Sequence, residues 1–239
     1  MTDDARRSVL RQSLSVAVAT GLYGISFGAL SVVAGLSTAQ TMALSLLMFS
    51  GGSQFAFIGV VGAGGAAAAA IATAGLLGAR NGLYGPQVAP LLGVHGWRKP
   101  LAAQLTIDES TAVATAQSDP AASRLGFWWT GVGVFVMWNA FTLLGALVGD
   151  RLGDPRRYGL DAAAAAAFLA LVWPRLSGPA GNLSRLVAGG AVAVALLLTP
   201  FTPAGVPVLL AAVVAIVVGM LAPAPDDEPE DSARAEAAA

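Results

Sequence analysis

The sequence predicts an all-α integral membrane protein with about seven transmembrane helices, some of them broken, and three observations carry that prediction. Of its 239 residues 56% are hydrophobic and only 11% are charged, and the mean hydropathy is +0.70. Apolar runs recur along the chain, separated by short linkers bearing Gly, Pro or Ser. Several are near the length a helix rising about 1.5 Å per residue needs to cross a hydrocarbon core about 30 Å thick. A soluble chain of this size has too little interior to hide so much apolar surface.

The first run extends from about Leu14 to Ala34 and stops at Gly35-Leu36-Ser37, where Ser37 can cap the next helix. The second runs from about Thr38 to Val61 as one span. A glycine-rich turn at Gly62 to Gly65 opens the third, which stays apolar only to Ala79 and is too short to cross. Either that helix is broken near Arg80 and resumes through Tyr84 to Leu92, or the part to Ala79 is re-entrant; Gly82, Gly85, Pro86 and Pro90 favour a break. A more polar stretch from Gly93 to Arg124 follows. Clear runs then occupy about Leu125 to Val148, Leu160 to Trp173, Leu186 to Leu198 and Val206 to Leu221. The expected organisation is a cytoplasmic N-terminal segment over 1–13, a polytopic transport domain over 14–222, and a disordered, acidic, Pro- and Ala-rich tail over 223–239. The opening Met1-Thr-Asp-Asp-Ala-Arg-Arg is a poor signal peptide, so the first span is expected to stay in place.

Arg6, Arg7 and Arg11 ahead of the first span favour a cytoplasmic N-terminus. Seven crossings would put Arg151, Arg156 and Arg157 on that side too, but Arg98, Lys99, Arg124, Arg175 and Arg185 on the other, so the bias is narrow. The pattern Gly35-Leu36, Ala39, Ala43, Leu47 recurs as Gly159-Leu160, Ala163, Ala167, Leu171. Read as a repeat, it makes spans one to three and four to six inverted three-helix units, with one span over. Transporters of that plan bind substrate near the bilayer midplane, where broken helices meet.

Polar groups inside apolar runs are costly to desolvate and need a reason. Ser50, Ser53 and Gln54 share a helical face beside Gly51 and Gly52, which weaken the helix. An unwound turn there would offer backbone groups to a zwitterionic solute; close helix packing with Gln54 bonding across an interface is the even alternative. Gln104, Asp108, Thr111 and Thr115 share another face. If that segment enters the membrane, Asp108 or Glu109 can exchange a proton and couple transport to a proton gradient; otherwise it is a solvated surface helix. Asn139, after Trp138, interrupts the fourth span as a packing group or a cavity-lining one. Asp161 reads as a helix cap. Trp97, Trp128 and Trp129 read as interfacial anchors, and Trp173-Pro174 closes the fifth span.

Several chemistries are excluded. The chain has no cysteine and one histidine, His95, so thiolate catalysis, a cysteine-ligated metal and a histidine-bearing triad have no material. Its only lysine, Lys99, is in no Walker loop, which leaves no ATP site. A net charge of −1 with scattered cations gives no nucleic-acid footprint. The chain is expected to be no enzyme and to need no cofactor or metal. A passive channel for a small solute or ion, and a membrane scaffold or lipid-modifying enzyme, remain the alternatives to a gradient-driven transporter.

Ser50-Gly-Gly-Ser-Gln-Phe-Ala56, Leu83-Tyr84 after Arg80-Asn81, Asp108-Glu109-Ser110, and Tyr158-Gly-Leu-Asp161 followed by Phe168 and Trp173-Pro174 together resemble the AzlC-type branched-chain amino acid permeases, from about Gln12 to Leu221. The resemblance implies the large subunit of a two-component exporter in the cytoplasmic membrane. Its substrates would be valine, leucine, isoleucine and sometimes methionine, and its partner a small AzlD-type membrane subunit. It raises Ser50, Gly51, Gly52, Ser53, Gln54, Arg80 and Asn81 as substrate-binding candidates, beside Asn139 from its place in the fourth span, and Asp108 and Glu109 as coupling candidates; an aliphatic amino acid would also need an apolar pocket, for which Phe55, Phe57 or Trp138 are available. Ala79-Arg80-Asn81-Gly82 departs from a family segment that often carries a histidine, so no histidine role carries over.

Overall fold

The computed structural model describes residues 1–152 and 181–222, with 169, 172–173 and 176–178 besides. The helices referred to below are α1 (Asp3–Val33), α2 (Thr38–Leu47), α3 (Gly51–Gly62), α4 (Ala67–Leu83), α5 (Gly85–Leu92), α6 (Arg98–Gln104), α7 (Asp108–Thr115), α8 (Pro120–Leu152), α9 (Gly181–Leu198) and α10 (Val206–Leu221). No strand occurs among the described residues. Asp3–Val33, Pro120–Gly149 and Gly181–Leu198 are long and apolar enough to cross a membrane. Most of the fifth sequence run, Asp161, the second copy of the repeat and the acidic tail fall on residues outside those described.

Helices α1 and α8 pack side by side in the same direction. Val9 lies beside Gly126, Ala17 beside Gly133 and Ala29 beside Gly149. Small residues make the contact possible: a Cβ on Gly24 would stand 2.6 Å from the Trp138 carbonyl oxygen, and one on Gly149 would stand 2.9 Å from the Ala29 Cα. Without a hydrophobic drive between helices in lipid, such backbone proximity is what holds them. The N-terminal ends of this pair are called the lower end of the bundle, and the C-terminal ends the upper end.

From the upper end the chain dips inward and returns. Ser37 caps α2 in a reciprocal box, its Oγ accepting from the Gln40 N–H at 3.2 Å while Gln40 Oε1 accepts from the Ser37 N–H at 2.8 Å. Helix α2 then descends along α8, with Ser45 reaching Thr142 (Oγ to Oγ1, 3.5 Å) and Phe49 lying edge-on to Phe135 at 5.0 Å. Residues 48–50 leave the helical conformation, and α3 climbs back. Its Phe55 meets Phe27 of α1, and its last residue, Gly62, sits against Ala34 just beyond α1. The Thr38 to Val61 run is therefore a hairpin with both ends at the upper end, a correction to its reading as one crossing. Hydropathy is blind to the difference, because both arms are apolar.

Helices α4 and α5 traverse the bundle from top to bottom. Gly78 of α4 faces Ser53, and at the foot of α5 the Leu91 carbonyl accepts from Arg124 Nε at 2.9 Å. The interruption falls at Tyr84, not at Arg80, which with Asn81 remains helical. Pro86, which has no N–H to give, stands in the first turn of α5, and Gly93 ends that helix with φ +57°.

A second hairpin enters from the lower end. Helix α6 starts beside Arg124 and rises until Gln104 Nε2 donates to the Leu46 carbonyl at 2.9 Å. Helix α7 descends along α8, with Val113 against Gly126. Within the more polar stretch α7 is thus packed and not a solvated surface helix, with Ser110, Thr111, Val113 and Ala114 buried. Gln104 and Asp108 do not share a continuous helical face, because residues 105–107 form the tip. Thr106 Oγ1 bonds back to the Ala102 carbonyl, and Ser110 Oγ donates to the Leu105 carbonyl at 2.6 Å while accepting from the Ile107 N–H at 3.1 Å.

The two units that oppose each other are α1 with the α2–α3 hairpin, and α4–α5 with the α6–α7 hairpin. This differs from the expected three-helix repeat, which would pair α1 with α8 and require them to be antiparallel. Helices α9 and α10 form a further antiparallel pair, with Gly190 close to Val214; Gly205 at its turn packs on Val60 and Ala69 at the upper end.

Candidate functional site

The tips of the two hairpins meet beside the interruption at Tyr84 and enclose a cavity of about 230 Å³. That is slightly below the roughly 300–1,000 Å³ of sites for drug-sized ligands, and suits a small metabolite. Phe49, Ser50, Gly51, Gly52 and Phe55 line it from the first hairpin, and Ile107, Asp108 and Glu109 from the second. Arg80 and Asn81 come from α4, Thr20 and Tyr23 from α1, and Val134 and Trp138 from α8.

Two helices start at this cavity. Helix α3 begins at Gly51 with no side chain capping it and no acid in its first turn, since Ser50 Oγ turns instead to Ser53 Oγ at 3.0 Å. Its leading N–H groups and the positive end of its dipole thus face the space. Helix α7 begins at Asp108, with Asp108 and Glu109 both in its first turn, where carboxylates offset the dipole. One start is therefore electropositive and the other acidic.

The charged groups are not equivalent. Arg80 forms an ion pair with Asp108 (Nη2 to Oδ2, 2.5 Å), and the Tyr84 hydroxyl donates to the other oxygen of the same carboxylate. The Glu109 carboxylate accepts from Thr20 Oγ1 at 3.4 Å and has no ion pair among the described residues. The apolar wall includes Phe55 and Trp138, and behind them Phe27 is fully buried, stacked near Trp138 at 5.9 Å and edge-on to Phe55 at 5.7 Å.

Of the residues singled out from the sequence, Ser50, Gly51, Gly52, Arg80, Asn81, Asp108 and Glu109 line the cavity, as do Phe55 and Trp138. Ser53, Gln54, Asn139 and Phe57 do not. Gln54 is fully buried and spends its amide on the fold, Nε2 donating to the carbonyls of Leu44, Ser45 and Met48 at 3.2, 3.4 and 2.8 Å. Asn139 Nδ2 donates to the Phe135 carbonyl of its own helix. Thr20 and Tyr23 were missed; a polar pair at i and i+3 within a long apolar helix was the signal that could have found them.

The family model for AzlC protein matches residues 15–152. The chain belongs to the AzlC family. It is also similar to an uncharacterized membrane protein of Archaeoglobus fulgidus, with 31% identity over 203 residues covering 84% of this chain and 88% of that one. No solved structure matches it. The AzlC match takes in both hairpins, the interruption at Tyr84 and every residue lining the cavity, so the site belongs to the part of the chain that defines the family. A membrane protein of a transport family is thus the setting in which this cavity has to be understood.

Proposed function

We propose that this AzlC protein is the large subunit of a two-component secondary transporter that exports branched-chain amino acids, working with a small AzlD-type subunit in the cytoplasmic membrane. The observation that carries the proposal is the meeting of two hairpins from opposite ends of the bundle at one cavity, with the bare start of α3 facing the acidic start of α7. Transporters built on half-helices hold a substrate carboxylate at such N-termini. The N–H groups of Gly51 and Gly52 receive the carboxylate of the amino acid and Glu109 its ammonium, while Phe49, Phe55, Val134 and Trp138 enclose its branched side chain. Arg80 and Asn81 complete the polar rim.

The topology also sharpens the orientation. Parallel packing of α1 and α8 gathers Arg6, Arg7, Arg11, Arg98, Lys99 and Arg124 at the lower end, and the far end of α9 adds Arg185. Among the described residues only Arg151 stands at the upper end. By the positive-inside rule this distribution supports a lower end in the cytoplasm.

The test is efflux of labelled valine from cells preloaded with a valine-containing dipeptide, comparing the chain alone, the chain with its small partner, and an empty vector. Faster efflux only with both subunits is expected. Unchanged efflux of valine, leucine, isoleucine and methionine, with both subunits verified in the membrane, would overturn the substrate class.

A further inference from the structure

Three of the cavity's features fix what its carboxylates can do. Asp108 is committed, held by Arg80 and by the Tyr84 hydroxyl. Glu109 lines the same space with the Thr20 hydroxyl against it and no ion pair among the described residues. The other ionisable groups facing it are Arg80 from α4, Asp108 from its own helix and Tyr23 from α1; α8 contributes only Val134 and Trp138, and the tip of the first hairpin only uncharged residues. Among the described residues the site therefore contains one carboxylate that no cation pairs with directly, in surroundings where an isolated charge is costly.

We infer that Glu109 carries either the substrate ammonium or a proton, never both, so that the protein exchanges amino acid for protons. This rests on the proposed amino-acid site and adds its coupling. With substrate bound, the ammonium pairs with ionised Glu109. When the substrate leaves on the far side, a proton from the water there forms an O–H bond on one carboxylate oxygen. The neutral, empty carrier returns, and Glu109 releases the proton to the cytoplasmic side as the next ammonium arrives. A zwitterion carries no net charge and a proton carries one, so each cycle moves one positive charge inward as one amino acid moves out. Export is then driven by both the pH difference and the membrane potential, and a ligand that requires ionised Glu109 competes with protons for it.

The experiment uses proteoliposomes of the full chain with its small partner, loaded with labelled valine. Net efflux is followed with and without a pH step and with and without a potassium-diffusion potential; valine–valine exchange at equal pH is the control. Wild-type efflux is expected to accelerate at least tenfold with either gradient in the proton-inward sense. Glu109→Gln, which cannot gain or lose the proton, should abolish both accelerations, while Asp4→Asn, at an exposed carboxylate outside the cavity, should retain them. Thr20→Val keeps the carboxylate but removes its hydroxyl partner, and should shift the pH at which efflux is half-maximal; it guards against misfolding of the glutamine variant. Wild-type net valine efflux that ignores both gradients, with valine–valine exchange intact, would overturn the coupling while leaving the substrate assignment standing. Gradient-driven efflux surviving in Glu109→Gln, or lost equally in Asp4→Asn, would overturn the role of Glu109. Absence of any valine exchange would remove the substrate assignment and the coupling with it.

Discussion

Arg80 of α4 and Asp108 at the start of α7 are joined by an ion pair of 2.5 Å, and this pair ties the broken crossing helix to the tip of the lower hairpin. The two side chains are 29% and 22% exposed, so water screens the pair only partly. Tyr84, the residue at which α4 gives way to α5, bonds the same carboxylate. The break in the helix and the start of the hairpin are thereby held as one unit, so a movement of either has to carry the other or open the pair.

Cutting that link has a predictable signature. Asp108→Ala leaves Arg80 without its counter-charge and is expected to lower the stability of the purified protein by about 1–3 kcal/mol. The double variant Arg80→Met, Asp108→Ala should be less destabilised than the sum of the two single changes, because the second removes a charge the first has stranded. Thermal unfolding in detergent reads both. Strict additivity would mean that the two residues do not interact.

Gln54 is expected to act on stability. Its amide serves three carbonyls at the end of α2, so Gln54→Leu strands buried acceptors and should cost about 1–3 kcal/mol. Gln54→Glu should be worse, because a carboxylate cannot donate and repels the negative end of a helix. A Gln54→Leu protein as stable as wild type but unable to transport would return this residue to the substrate path.

The contrast between Gln54 and its neighbours marks how much was legible in the sequence. Ser37 announced its cap by position and chemistry, and the clustered Ser50, Gly51 and Gly52 announced a break. The break itself falls just before the glycines, which start α3 and so present their N–H groups. What the sequence hid is direction. An apolar run that dips and returns has the same composition as one that crosses, so residues 38–61 gave no sign of doubling back. The face shared by Gln104 and Asp108 assumed a continuous helix, whereas the hydroxyls of Thr106 and Ser110 bond to nearby backbone and stabilise a tip. The Arg80–Asp108 pair joins residues from different elements and had no local spacing to reveal it.

The packing of α1 on α8 predicts opposite outcomes for one kind of substitution. Replacing an exposed glycine within a helix by alanine normally stabilises by about 0.5–1 kcal/mol. Gly59 has nothing within 4 Å of its Cβ position, so Gly59→Ala should follow that rule. At Gly24 the added carbon would press on the Trp138 carbonyl and on Thr142, so Gly24→Ala should lower the melting temperature. Equal effects at the two sites would mean that the helices do not approach this closely.

Topology can be read by labelling, because the chain has no cysteine to remove first. Ala39 and Ala66 are exposed and flank the α2–α3 hairpin, and Lys99 is exposed at the lower end. If residues 38–61 crossed the membrane, Ala39→Cys and Ala66→Cys would report opposite sides. The hairpin puts both on one side, which the proposed cytoplasmic lower end makes external. A membrane-impermeant maleimide added to intact cells should therefore modify Ala39→Cys and Ala66→Cys alike and leave Lys99→Cys unmodified until the membrane is opened. Labelling of only one of the two alanine positions would overturn the hairpin. Labelling of Lys99→Cys alone would keep the hairpin and invert the protein, which would make the lower end external and set the distribution of arginines against the positive-inside rule.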